Sequence, residues 1–251
     1  MAISTWDGYI GSAKQPISLG KTASRAAVAA QWFSVFDLAG NPGAGTLAGS
    51  STTTGTVPTD ATAGCPTIDA FGGGATGYLA QVDYGSSVAC RIKLFDVLWK
   101  GGAYAFNVST SGNSPTSFSS RVPGGTDFTD TQIWYEQVTA GTLVQNVAVT
   151  YNDQSNVSST TGTVAAPAAM IVGRCFQLPL AAGDTGVQGI TGVVGTVASA
   201  GTFNILVVRP IWSGRVKIAN DGDVHDLAKT GMPIVYADSA IMMLVAPDST
   251  A

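Results

Sequence analysis

One glutamate, Glu136, stands beside fifteen aspartates in this chain, and only twelve lysines and arginines accompany them in 251 residues. Exposed helix faces are built largely from Glu, Lys, Arg and Gln, the polar residues with good helix propensity. A chain this poor in them cannot cover many solvent-facing helices. Charged residues reach 11%, against about 25% in ordinary globular domains. In their place stand Gly, Ser, Thr, Ala and Val, which favour strands, turns and loops. Hydrophobic residues make up 45% of the chain, enough to bury a sizeable core.

Periodicity places the elements. Residues 22–31, Thr-Ala-Ser-Arg-Ala-Ala-Val-Ala-Ala-Gln, are the best helix candidate, with Thr22 or Ser24 as N-cap. Trp32 to Leu38 alternates large apolar with smaller residues and reads as a strand closed by the Asn41-Pro42-Gly43 turn. Residues 40–76 are dominated by Gly, Ala, Ser, Thr and Pro and form a long loop region, expected to lie against another subunit. Strands then follow at about 77–83, 88–98, 103–109, 131–138, 143–151, 160–164, 169–178, 187–197, 202–211, 214–218, 233–236 and 240–246. Many short strands with Gly-rich turns indicate an all-β fold, an antiparallel jelly-roll-like sandwich. We expect one such domain over 25–251, preceded by an extended N-terminal arm over 1–24. In that arm Trp6, Tyr9, Ile10, Ile17 and Leu19 are too sparse to close a core of their own, and they read as anchors for a neighbouring subunit.

The formal net charge is −4, and the basic residues are scattered singly, which disfavours nucleic acid. The N-terminus has neither a basic nor an apolar leader region, and no apolar run approaches the ~20 residues of a membrane helix. A soluble, unsecreted protein is expected. Cys65, Cys90 and Cys175 are odd in number and far apart, which suggests buried thiols rather than a disulfide framework or zinc site.

Few residues invite chemistry. His225 is the sole histidine, so any Ser-His-Asp or Cys-His mechanism would run through it. Its surroundings, Asn220-Asp221-Gly222-Asp223-Val224-His225-Asp226, lack the spacing and terminal glutamate of a calcium loop and read as a turn between strands. Gly72-Gly73-Gly74-Ala75-Thr76-Gly77 has the glycine spacing of a dinucleotide-binding loop without a preceding strand or following helix, and Gly20-Lys21-Thr22 lacks the upstream glycine of a phosphate-binding loop. Glu136, within Trp134-Tyr135-Glu136-Gln137, is the one position that could imitate a glycosidase acid, with Asp127 or Asp130 as partner. The simpler reading puts Trp134 and Glu136 on one strand face and Tyr135 on the other. No catalytic residue, cofactor or metal is assigned.

Several blocks carry a resemblance. Phe176-Gln177-Leu178-Pro179-Leu180-Ala181-Ala182-Gly183-Asp184-Thr185-Gly186-Val187, and the Gly/Thr/Val-rich pattern after it to Arg209-Pro210, stand with Leu94-Phe95-Asp96-Val97-Leu98-Trp99, Trp32-Phe33-Ser34-Val35-Phe36, Asn41-Pro42-Gly43-Ala44-Gly45 and Val149-Thr150-Tyr151. Together they resemble a family of tailed-bacteriophage virion structural proteins. The resemblance implies a non-enzymatic virion component, most simply a capsid decoration (cement) protein. It would be a homo-oligomer, with a trimer favoured, seated on the major capsid protein or other virion proteins, without direct nucleic-acid or membrane contact. The alternative is a tail-tube, tail-tip or fibre-associated β protein, with glycan binding as one option for it.

Overall fold

The computed structural model describes residues 5–12, 16–73, 75–107, 109–111, 116–166, 170–196 and 200–249. Its centre is a closed antiparallel barrel. Around the barrel the strands run Arg174–Leu178, Trp32–Ser34, Ile241–Pro247, Cys90–Ala105, Thr202–Val216 and Gln132–Thr139, and the last pairs with the first. A second sheet, built on Gln145–Asp153 and Val187–Gly195, packs over one wall. The all-β, antiparallel expectation therefore holds, but the architecture is a barrel with an outer sheet rather than two sheets of a jelly-roll sandwich.

Each barrel strand sends alternate side chains to opposite faces. Phe95, Val97, Trp134, Cys175, Leu206, Val208, Met242 and Leu244 fill the inside. Ile133, Tyr135, Phe203, Ile205 and Val207 point outward and meet Val147, Val149, Tyr151, Ile190 and Val193 of the second sheet. Phe176, Tyr135 and Phe203 stack on three neighbouring strands, with ring centroids 4.5 and 5.0 Å apart. Trp134 and Tyr135 thus occupy opposite faces, and both faces are buried.

Two pairs of expected short strands are each one long strand. Cys90–Ala105 runs through Gly101-Gly102, and Thr202–Val216 runs through Ser213-Gly214. Register shifts between Phe203 and Ile205, opposite Gly102, between Val207 and Val208, and between Pro210 and Trp212, beside the proline, are bulges, while Ser213-Gly214 pairs in register with Lys93 and Ile92. Gly102 adopts φ +149, and a Cβ there would lie 2.1 Å from Asn204 Oδ1. Only glycine fits.

The helix expected at 22–31 does not form. Ala30 takes a left-handed φ of 61 and gives its N–H to Pro247 at the barrel edge, while Arg25 is held by Val172 O and Asp37. These tertiary bonds outweigh alanine's propensity. Residues 1–24 are not wholly extended either, because Trp6–Ser12 is helical. Residues 221–225 form a strand, Asp221–His225, paired antiparallel with Val82–Ser86 in a two-stranded ribbon, rather than a turn.

Candidate functional site

The long loop lies across its own barrel, not away from it. Thr56 exchanges both backbone hydrogen bonds with Lys100, Gly102 N–H reaches Ser51 O at 2.9 Å, and Trp99 Nε1 donates to Thr54 O at 2.9 Å. Leu47, Phe36 and Cys65, all buried, close this end of the barrel. Beneath the loop sits a polar constellation. Glu136 Oε2 accepts from Asn204 Nδ2 at 2.7 Å and lies 3.5 Å from Lys100 Nζ. Glu136 and Asn204 are fully buried. Sequence reasoning singled out Glu136 but offered it Asp127 and Asp130, which are exposed on the turn before its strand. Its actual partners come from two other strands, and strand order cannot be read from spacing.

A second buried node holds the barrel mouth. Asp96 is 3.3 Å from Arg121 Nη1 and 3.4 Å from Arg209 Nη2, and it also accepts from Ser239 Oγ and Ala240 N–H. Arg121, at the end of the 3-10 helix Thr116–Arg121, donates further to Val97 O, Leu98 O and Asp238 O. With its oxygens satisfied, the carboxylate is a structural clamp. Further along the barrel, Lys93 Nζ lies 4.9 Å from the Trp32 ring and 5.1 Å from Trp134. Burial pulls its pKa down, and the neighbouring Arg91 adds to that.

His225 bridges two aromatics on the outside. Trp212 Nε1 donates to His225 Nδ1 at 3.0 Å, and Tyr84 Oη is 3.0 Å from Nε2. Indole can only donate, so Nδ1 is the acceptor and the proton of the neutral ring sits on Nε2. Both nitrogens are committed to holding the two-stranded ribbon of Val82–Ser86 and Asp221–His225. All three cysteines are free and buried, with burial pushing the Cys65 thiol up to about 11 and raising those of Cys90 and Cys175. Thiolate chemistry is suppressed at neutral pH. Among the described residues there is no group of three or more His, Cys, Asp or Glu placed to hold a metal, and no helix long and apolar enough to cross a membrane.

The remaining feature is a surface. The outer face of Trp32–Ser34, Ile241–Pro247 and the start of Cys90–Ala105 borders a groove of about 1990 Å³, lined by Leu94, Met243, Val245, Phe71 and Leu79 among others. Of the expected anchors, Ile17 and Leu19 pack partly buried against this chain's own groove wall. Trp6 is 75% exposed and Ile10 67%. They stand four residues apart on the Trp6–Ser12 helix, hence on one face. Tyr9 belongs to that helix, but its side chain lies outside the described residues. Among the described residues, the exposed large aromatics are Trp6 and Tyr78. No family model matches the chain, no curated protein matches its sequence, and no solved structure matches its fold.

Proposed function

We propose that this chain is a non-enzymatic structural component of a tailed-phage virion, a decoration protein that stabilises the head through subunit-subunit contacts as a homo-oligomer, with a trimer favoured. The half-covered apolar groove, with the exposed Trp6 among its lining residues and Ile10 exposed on the same helix, carries this reading. Its volume is about twice that of the largest ordinary small-molecule pockets, ~1,000 Å³. A contiguous apolar surface of that kind fits a polypeptide segment and marks a protein interface. Low surface charge suits the same role, since burying charge between subunits is costly. The virion context rests on the resemblance in Trp32–Phe36, Leu94–Trp99 and Phe176–Val187.

Two measurements test the proposal. Analytical ultracentrifugation of the full chain at micromolar concentration is expected to show an oligomer, and Trp6→Asp with Ile10→Asp should shift it toward monomer while circular dichroism stays unchanged. Labelled protein added to phage heads lacking it should decorate them at high copy number. A monomer that leaves such heads bare would end the proposal.

A further inference from the structure

Lys100, Glu136 and Asn204 come from three neighbouring strands. Asn204 pairs directly with Glu136, and Leu206, two residues along on the same face, pairs with Lys100. The lysine and asparagine are therefore diagonal neighbours inside the barrel, within reach of long side chains. One carboxylate oxygen, Glu136 Oε2, takes the Asn204 amide nitrogen at 2.7 Å and the Lys100 amine at 3.5 Å. The amide is oriented as well. Its Nδ2 also donates to Leu47 O at 2.6 Å, and its Oδ1 accepts from the Gly49 N–H at 2.9 Å. Swapping O and N would set two N–H groups against each other and two acceptors against each other.

As a static ion pair this arrangement is incomplete. Glu136 Oε1 is buried with no hydrogen-bond partner, a costly state for a carboxylate that serves only to hold strands together. As a reactive centre it has every part required. There is an amine nucleophile, a carbonyl whose oxygen already faces an N–H donor, and a carboxylate touching both the attacking and the leaving nitrogen. The Phe36 ring lies 5.1 Å from Lys100 Nζ, and the 46–56 segment covers the site. Glu136 and Asn204 are fully buried, while Lys100, which also donates to Thr46 O at 3.3 Å, keeps 12% of its side chain exposed, so water has restricted access to the reacting groups.

We propose that Lys100 and Asn204 form an intramolecular isopeptide bond, with Glu136 as the proton relay and the Gly49 N–H as the oxyanion donor. The Lys100 ammonium gives one proton to Glu136, and the Nζ lone pair attacks Asn204 Cγ. The tetrahedral oxyanion forms against the Gly49 N–H. Glu136 returns its proton to Nδ2, the Cγ–Nδ2 bond breaks, and ammonia leaves. The carboxylate then takes the surplus proton from Nζ and passes it to the departing ammonia. The products are a secondary amide, one ammonium ion and the original carboxylate, with no change of oxidation state. The bond would join the two longest strands of the barrel, Cys90–Ala105 and Thr202–Val216, beneath the loop that shields it.

Intact-mass spectrometry of the purified full chain tests this directly. The expected mass is that of the sequence less one ammonia, and digestion should release a branched peptide joining Lys100 to Asn204. Lys100→Arg, Asn204→Ala and Glu136→Gln should each restore the full mass. Wild-type protein at full sequence mass after prolonged incubation of the folded chain would overturn the proposal whether or not the variants fold. So would a loss of ammonia that persists in Lys100→Arg, because that signals cyclisation of an asparagine on its own backbone.

Discussion

Two walls of one barrel meet different surroundings. The wall of Gln132–Thr139 and Thr202–Val216 is covered on both faces, by the barrel interior on one side and the second sheet on the other. The wall of Trp32–Ser34, Ile241–Pro247 and the first turns of Cys90–Ala105 is covered inside but borders the groove outside. Polar groups sort accordingly. Glu136, Gln137 and Asn204 on the doubly covered wall are fully buried and linked to one another or to neighbouring backbone. The groove-side wall instead presents Leu94, Met243 and Val245, half-buried, with no polar network over them. A wall closed on both faces can be given a specific interior site, whereas one closed on a single face is a surface waiting for a cover.

The largest expected effect comes from the enclosed side. Arg121→Met leaves the buried Asp96 carboxylate with Arg209 as its only nearby cation, which should cost about 3–5 kcal/mol. Tyr135→Ala removes the middle ring of the Phe176–Tyr135–Phe203 stack and should cost a similar ~3–5 kcal/mol. On the groove side, Met243→Ala should cost only about 1 kcal/mol, because the side chain is already partly exposed. Urea midpoints of the three variants measure the contrast. Equal losses for Tyr135→Ala and Met243→Ala would mean that the groove wall is as closed as its opposite.

Alkaline pH sharpens the comparison from the other direction. The Cys65 thiol, inside the capped end, is pushed from 9.0 up to about 11, chiefly by burial and next by Asp96. The folded chain keeps a proton that the unfolded chain surrenders, so stability is full below pH 9 and falls as pH rises toward 11. Two pKa units correspond to about 3 kcal/mol. Cys90 and Cys175 act in the same direction. Denaturation midpoints at pH 8 and pH 10.5 should differ, and the difference should shrink in Cys65→Ala. An unchanged difference would mean that water reaches the thiol and the end is not sealed.

The class of fold was legible because scarcity of Glu, Lys and Arg is a property of the whole chain. Most strand positions were legible because alternation is local: Gln145–Asp153 buries every second residue, as its sequence suggests. Closure into a barrel was not. It depends on a bulge at Gly102 and on Ser213-Gly214 pairing in register inside a long strand, and such glycines read identically in a strand and in a turn. The site was half legible. A lone glutamate among aromatics attracts notice in sequence, but Lys100 and Asn204 reach it only through strand pairing. The string around His225 looked like a turn for the opposite reason, since its aspartates and glycine favour turns locally while pairing with Val82–Ser86 overrides them.

That two-stranded ribbon gives the smallest and most local test. Its contact with the barrel runs through Tyr84, whose ring meets Trp212 edge-on at 4.7 Å, and through His225, which accepts from Trp212 at Nδ1 and meets Tyr84 at Nε2. Each such bond contributes about 0.5–1.5 kcal/mol. His225→Phe keeps a ring but loses both hydrogen bonds, so it should speed amide exchange in Val82–Ser86 and Asp221–His225 while Gln132–Thr139 stays protected. If that variant loosens both regions together, the ribbon is coupled to the enclosed wall, and the two walls do not differ in cohesion as their packing implies.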